Sequence, residues 1–327
     1  MKKIIFLFLI LIPINTYAST SIAVMDLDSG RVLYQSNAKE KKLIASITKI
    51  MTAIITIENI NLDKKITVGE EVLKSYGTNT YIEVGEELRV IDLLYGLILR
   101  SGNDAAMTLA KSVSSSEEDF ISLMNQKAEE IGMKNTHFEN PHGLDEESEN
   151  YSTAYDYILL SRYAYQNKIY KEIAGTKKYR LKTNKKSYIW YNRNKLLSNY
   201  KYCTGGKNGY TPSAGKTLVT TASKNGLNLT IVTLNDPSSY DTHESLYNYY
   251  FDKYKNIKVI DKSDFNRNSN LLNTNLTLEK SFYYPLTSSE QNHIKTKVEV
   301  DSTNHNNASL IIYLGKEIIG TIPFVQK

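Results

Sequence analysis

A single cysteine, Cys203, is all that this chain of 327 residues carries, so no disulfide can form within it. With no histidine near it in sequence, Cys203 reads as a small apolar residue filling a packed position rather than as a thiol nucleophile. Histidine is scarce too. The five residues are dispersed, and His137 and His142 lack the i, i+4 spacing of a helical zinc pair, so neither a metal nor any other cofactor is expected. Lys and Arg number 40 against 35 Asp and Glu, scattered without a sustained basic stripe, which argues against nucleic acid as a partner. No apolar run reaches the roughly 20 residues that a membrane-spanning helix needs. The run Ile4 to Ile14 falls short, and it sits between Lys2-Lys3 and Thr16-Tyr17-Ala18. A basic start, an apolar core and a small-residue cleavage site make up a secretory signal. Residues 1–18 are therefore expected to be a signal peptide, and the mature chain to be secreted, beginning near Ser19.

What remains is enough for one large domain and a small one. Ser21-Ile22-Ala23-Val24-Met25-Asp26 reads as a strand and Arg31-Val32-Leu33-Tyr34 as its partner, with turn chemistry at Asp28-Ser29-Gly30. Helical patterns follow, among them Ile91–Leu99, Asp104–Ala110 and the amphipathic stretch Glu117–Ile131. Lys216–Ser223 and Leu227–Leu234 flank Asn225-Gly226, a hairpin signal. The tyrosine-rich stretch Ser245–Lys255 places Leu246, Tyr249, Tyr250 and Tyr254 on one helical side, as a stripe packed on the sheet. Strands at both ends of this region must join one antiparallel sheet covered by helices, with a helical block inserted, an α/β (α+β) architecture. From about Asn256 long helical patterns vanish and short β runs appear at Lys295–Val300, Leu310–Leu314 and Ile318–Val325. The expected division is a catalytic domain over residues 19–256 and a small β-rich domain over 257–327.

Ser46 and Lys49 stand three residues apart at the head of a stretch, Ile47 to Ile57, with almost no polar face. On a helix such a pair shares one face, with Cβ atoms roughly 5–6 Å apart. Burial disfavours the ammonium form and lowers its pKa, so the amine can take the proton of a nearby hydroxyl. Arginine could not, because it keeps its charge. The spacing alone is weak: Ser198/Lys201 and Ser213/Lys216 show it arising by chance. Two further elements give it weight. Ser101-Gly102-Asn103 breaks two helical patterns and offers a proton-relaying hydroxyl beside an amide that can hold a peptide bond. Lys207-Asn208-Gly209-Tyr210, just before the hairpin, joins a positive charge suited to a substrate carboxylate with a glycine that lets backbones approach closely.

In that order, Ser-x-x-Lys, Ser-x-Asn and Lys-x-Gly resemble the elements of penicillin-binding proteins and serine β-lactamases. Ala45–Thr52, Phe138–Asp145, Ser152–Asp156 and Gly206–Gly215 resemble segments of one branch, the low-molecular-weight D-alanyl-D-alanine carboxypeptidases. The resemblance covers approximately Ser21 to Phe251. It implies Ser46 as acylated nucleophile, Lys49 as its base and Ser101 as proton relay. Asn103 would orient substrate, Lys207 with Asn208, Gly209 and Tyr210 would bind it, and the backbone N–H groups of Ser46 and Tyr210 would form the oxyanion hole. The implied partners are peptidoglycan stem peptides and β-lactams, met by a monomer in peripheral association with the bacterial cell envelope. Two departures stand out: Asn208, where the family usually has threonine or serine, and Tyr155, where arginine is common. Asn208 motivates an alternative, a wall-binding homologue with impaired turnover. A class A β-lactamase would need a Glu-x-x-Leu-Asn run, and none lies between Asn103 and Lys207. A transpeptidase or endopeptidase would use the same acyl-enzyme with another acceptor.

Overall fold

The computed structural model describes residues 19–268, 276–300 and 308–326; the expected signal peptide lies outside them. The first strand, β1 (Ser21–Asp26), pairs with β2 (Val32–Ser36) on one side. Its other neighbour comes from more than two hundred residues away. The strands β3 (Cys203–Thr211), β4 (Gly215–Lys224) and β5 (Leu227–Leu234) complete a five-stranded antiparallel sheet in the order β2-β1-β5-β4-β3, with Ser21 opposite Leu234. Asn225 and Gly226 both have left-handed backbones, φ 52° and 79°, which the tight β4–β5 turn requires and an Asn-Gly pair supplies.

Alternation along the strands splits the apolar residues between two cores. Ala23, Met25, Val232 and Leu234 face one core, and Val24, Leu229 and Ile231 the other. The first face carries the helical block: α1 (Lys49–Asn59), α2 (Val90–Tyr95), α3 (Asn103–Val113), α4 (Glu117–Ile131), α5 (Ala154–Gln166) and α6 (Lys168–Gly175). Within it α1 is buried continuously from Lys49 through Thr56. The predicted bounds of α4 are met: Ser116 caps it by accepting from the Asp119 N–H, and Gly132 ends it in a left-handed conformation.

The second face is covered by α7 (Ser239–Lys253), and here the expected stripe is corrected. The residues that pack are Tyr247, Tyr250, Phe251 and Tyr254, whereas Tyr249 points to solvent and Leu246 is only partly buried. The helix phase is set by a residue the apolar pattern ignores. His243 is fully buried between two sheet threonines, its Nδ1 at 2.7 Å from Thr220 Oγ1 and its Nε2 at 3.1 Å from Thr233 Oγ1. Desolvation pushes this imidazole down to about 3, so it stays neutral.

Beyond α7, β6 (Lys255–Ile260) pairs with a strand at Phe282–Leu286, so the expected boundary at 256/257 falls inside β6. Strands Leu276–Leu278, Ile294–Val300, Ala308–Leu314 and Glu317–Gln326 form a four-stranded sheet around Leu278, Leu310, Ile312, Ile322 and Phe324. This small β-rich unit is tied to the main sheet by Arg31. Its Nη1 donates to Pro285 O at 2.6 Å, its guanidinium pairs with Glu290, and the rings of Tyr254 and Tyr284 lie 5.2 and 5.3 Å away.

Candidate active site

Ser46 stands in a tight helical turn, Ala45–Thr48, that runs straight into α1. The residue before it, Ala45, is held at φ 49°, a left-handed backbone that costs a residue with a Cβ about 1–2 kcal/mol. Three contacts clamp it there. Thr48 Oγ1 donates to Ala45 O at 2.8 Å, and Thr217 Oγ1 donates to Ile44 O at 2.9 Å. Gly143 presses so close that a Cβ on it would lie 2.0 Å from Ala45 O.

One turn on, Lys49 is 0% exposed. Its Nζ donates to Ser46 Oγ at 3.1 Å, Asn103 Oδ1 at 2.7 Å and His142 O at 2.6 Å. None of these acceptors is a carboxylate, so nothing in direct contact offsets the loss of water around the charge. Desolvation brings the amine down from 10.5 to about 7; Asp104 opposes the shift and Arg193 adds to it. A base poised near neutrality, in contact with a hydroxyl, suits nucleophile activation.

The second hydroxyl belongs to Ser101. The chain leaves α2 through a wide helical turn, Gly96–Arg100, and Ser101 ends it with φ 63°. Its Oγ accepts from Lys207 Nζ at 3.0 Å. Lys207, on β3, is 1% exposed and also donates to Asn208 O at 2.6 Å. Desolvation holds its pKa well below the ordinary value, with Lys49 and Arg193 adding to the effect. The site thus contains two buried amines, each touching one serine.

Asn103 opens α3 and bridges the site, accepting from Lys49 while its Nδ2 donates to Tyr76 O at 2.6 Å. Its neighbour Asp104 takes the backbone N–H groups of Thr80 and Tyr81 at 2.9 and 2.7 Å, hanging the 75–82 loop on the start of the helix. Gly209 is where β3 meets the nucleophile: a Cβ there would lie 2.8 Å from Ser46 N and 2.5 Å from Thr217 Oγ1. Asn208 is half-buried, and the Tyr210 ring is exposed. The candidate residues Lys49, Ser101, Asn103, Lys207, Asn208, Gly209 and Tyr210 therefore lie on the elements that meet around Ser46. Cys203, at the start of β3, is half-buried with its thiol pushed up to about 11 by desolvation.

Several contributors escaped the sequence reading. His142 serves through its carbonyl, and its ring is pushed down to about 3 by burial and by Lys49. Asn140 Oδ1 accepts from Gly143 N at 2.6 Å, and Asn150 Nδ2 donates to Asn140 O at 2.9 Å and to Thr48 Oγ1 at 3.0 Å, fixing that carbonyl against α1. Segment Phe138–Asp145 carried a resemblance but no assigned role, since a carbonyl is common to all residue types. Its Asn-Pro-His-Gly turn chemistry was the available signal. Arg193 is the other omission, with its N–H on Leu99 O at 3.1 Å and its Nη1 on Thr78 Oγ1 at 3.2 Å. A cleft of about 190 Å³ bordered by Tyr76, Asn103, His142 and Leu144 opens beside the partners of Lys49.

The D-alanyl-D-alanine carboxypeptidase family model matches residues 12–238. D-alanyl-D-alanine carboxypeptidase DacF of Bacillus subtilis is 30% identical over 322 residues, spanning 94% of this chain and 81% of that protein. The crystal structure of the D-alanyl-D-alanine carboxypeptidase DacD from Francisella tularensis matches with a TM-score of 0.74 at 26% identity, covering 98% of this chain and 96% of that one. Penicillin binding protein 6B from Escherichia coli matches at 0.73 and 27% identity, covering 93% of each chain. On its sequence and its fold alike, the chain belongs to the D-alanyl-D-alanine carboxypeptidase family.

Proposed function

We propose that this protein is a serine-type carboxypeptidase that removes the terminal D-alanine from peptidoglycan stem peptides, trimming pentapeptides and limiting cross-linking. The observation that carries the reading is the Lys49 amine, buried and depressed to about 7, at 3.1 Å from Ser46 Oγ. Neutral Lys49 accepts the Ser46 proton as Oγ attacks the carbonyl between the two D-alanines. The oxyanion settles between the N–H groups of Ser46 and Tyr210, each such donor being worth roughly 10²–10³ in rate. As the intermediate collapses the C–N bond breaks, and the leaving amine takes a proton through Lys49 and Ser101. Free D-alanine departs from an ester on Ser46. Water, deprotonated within the same pair, then cleaves the ester and restores the hydroxyl. A β-lactam acylates Ser46 by the same first step, but its leaving group stays tethered and deacylation is slow.

The Lys2–Ala18 pattern supports action outside the cytoplasmic membrane; the protein works there as a monomer in peripheral association with the envelope. The test is to incubate the purified mature chain with fluorescent penicillin, resolve it on a denaturing gel, and repeat with Ser46→Ala. Labelling of wild type alone is expected, together with D-alanine release from a pentapeptide that Lys49→Ala abolishes. No labelling of wild type would favour a wall-binding protein without turnover, and rapid nitrocefin hydrolysis a β-lactamase.

A further inference from the structure

Resting on the carboxypeptidase reading, we infer that Arg193 supplies the fixed positive charge that holds the free carboxylate of the substrate's terminal D-alanine. A carboxypeptidase must prefer a chain end to an internal peptide, and the difference is one negative charge. The sequence reading gave the matching charge to Lys207. In the fold, the Lys207 Nζ is buried and already donates to Ser101 Oγ and Asn208 O. Desolvation opposes its protonation, and the nearby Lys49 and Arg193 add to the effect. Nor does the next residue offer the compact hydroxyl usual in the family, since Asn208 stands there.

Arg193 has the missing properties. Its guanidinium cannot lose its proton and carries five N–H donors in a fork that matches a carboxylate. Its main chain is pinned to Leu99 O, two residues before Ser101, and its Nη1 donates to Thr78 Oγ1. Thr78 O in turn accepts the N–H of Asn103, so the arginine is braced between the turn that bears Ser101 and the loop that covers Asn103. The side chain is exposed, and among the described residues no carboxylate pairs with it. It nevertheless acts electrostatically on both Lys49 and Lys207. Of the three cations grouped here, Arg193 alone keeps its charge at every working pH, and a terminal carboxylate is the partner that charge would take. Asn208, next in sequence to Lys207, has an amide that can add a neutral donor to the same group.

The experiment compares diacetyl-L-lysyl-D-alanyl-D-alanine with its C-terminal amide. Wild type should favour the free acid in kcat/KM by roughly 10–10²-fold, the scale of a hydrogen bond to a charged group. Arg193→Gln should bring the two substrates to within a few fold, chiefly through a raised KM for the acid. Arg193→Lys should restore part of the preference. If Arg193 acted only by its field on Lys49, Arg193→Gln would shift the pH profile of both peptides together and keep the acid-to-amide ratio, which overturns the inference. So would a ratio that collapses in Lys207→Met and survives in Arg193→Gln. Calorimetric binding of both peptides to Ser46→Ala reads the same contact without turnover. A wild type that releases no D-alanine and takes no penicillin label therefore sinks the carboxypeptidase reading alone. Equal affinity of Ser46→Ala for acid and amide sinks the Arg193 assignment.

Discussion

Acylation of Ser46 should track the loss of one proton from Lys49, and the burial of that amine sets where. With Lys49 at about 7, roughly nine tenths of the protein carries the neutral base at about pH 8 and roughly one tenth at about pH 6. The second-order rate of penicillin acylation should therefore fall about tenfold between those values and level off above about pH 8. A lysine left at its ordinary 10.5 would give a rate still climbing about tenfold per pH unit across the whole range. Stopped-flow acylation with a fluorescent penicillin distinguishes the two shapes. A flat profile, or a log-linear rise continuing past about pH 9, would refute the assignment of Lys49 as the base. The same shift leaves a mark on stability. Between about 7 and 10.5 the unfolded chain holds the Lys49 proton and the folded chain does not, so this group makes wild-type stability rise with pH. The slope is about 1.4 kcal/mol per pH unit, lost as pH falls through that window and flat below it. Lys49→Met lacks the slope, so its urea midpoint should gain on wild type as pH drops from about 10 to about 7.

Gly209→Ala would put a methyl group 2.8 Å from Ser46 N. Penicillin labelling should slow by ~10²–10³ while the circular dichroism spectrum is kept, and normal labelling would mean the backbone approach there is not needed. Asn150→Ala removes the donors to Asn140 O and Thr48 Oγ1 and strands the Glu139 N–H. It should cost about 2–3 kcal/mol in urea unfolding and slow acylation through the loosened His142 carbonyl, whereas a change in stability alone would separate that carbonyl from catalysis. Arg31→Ala deletes the pair with Glu290, the bond to Pro285 O and two ring contacts. A loss of about 2 kcal/mol and new protease cleavage near residues 254–262 are expected with penicillin labelling unaltered, and a trypsin pattern like that of wild type would remove Arg31 as the tie between the two units.

What could be read from the residues is what side-chain chemistry and periodicity encode. Ser46 with Lys49 is such a case, because a charged amine inside an apolar helix is a local contradiction that only burial and deprotonation resolve. The Asn225-Gly226 hairpin is another, since few residue pairs tolerate two left-handed backbones in succession. The α7 stripe holds for Tyr250 and Tyr254 and in part for Leu246, but it misses that Tyr249 faces solvent while the buried His243, bonded to Thr220 and Thr233, faces the sheet. His142 acts through a group that any residue possesses, so its role depends on the Asn140 and Asn150 contacts that place it. Arg193 lies outside every motif, and its place in the site depends on its bonds to Leu99 O and Thr78 Oγ1. The wide turn at Gly96–Arg100 left no mark in a pattern that read as ordinary helix up to Leu99.

The register of Ser21 against Leu234 governs the order in which the molecule can be made. The first strand of the fold is held between β2 and a hairpin synthesised about two hundred residues later. A nascent chain that stops anywhere before Leu227 has nothing to seat on that side of β1, and its growing helices have half a floor to stand on. Closure is then one late, long-range event, the kind that folds slowly because distant segments must meet before any contact repays their lost freedom. N-terminal fragments should stay open and protease-sensitive until the β4–β5 hairpin is present, and the main sheet should lock in a single step when it is.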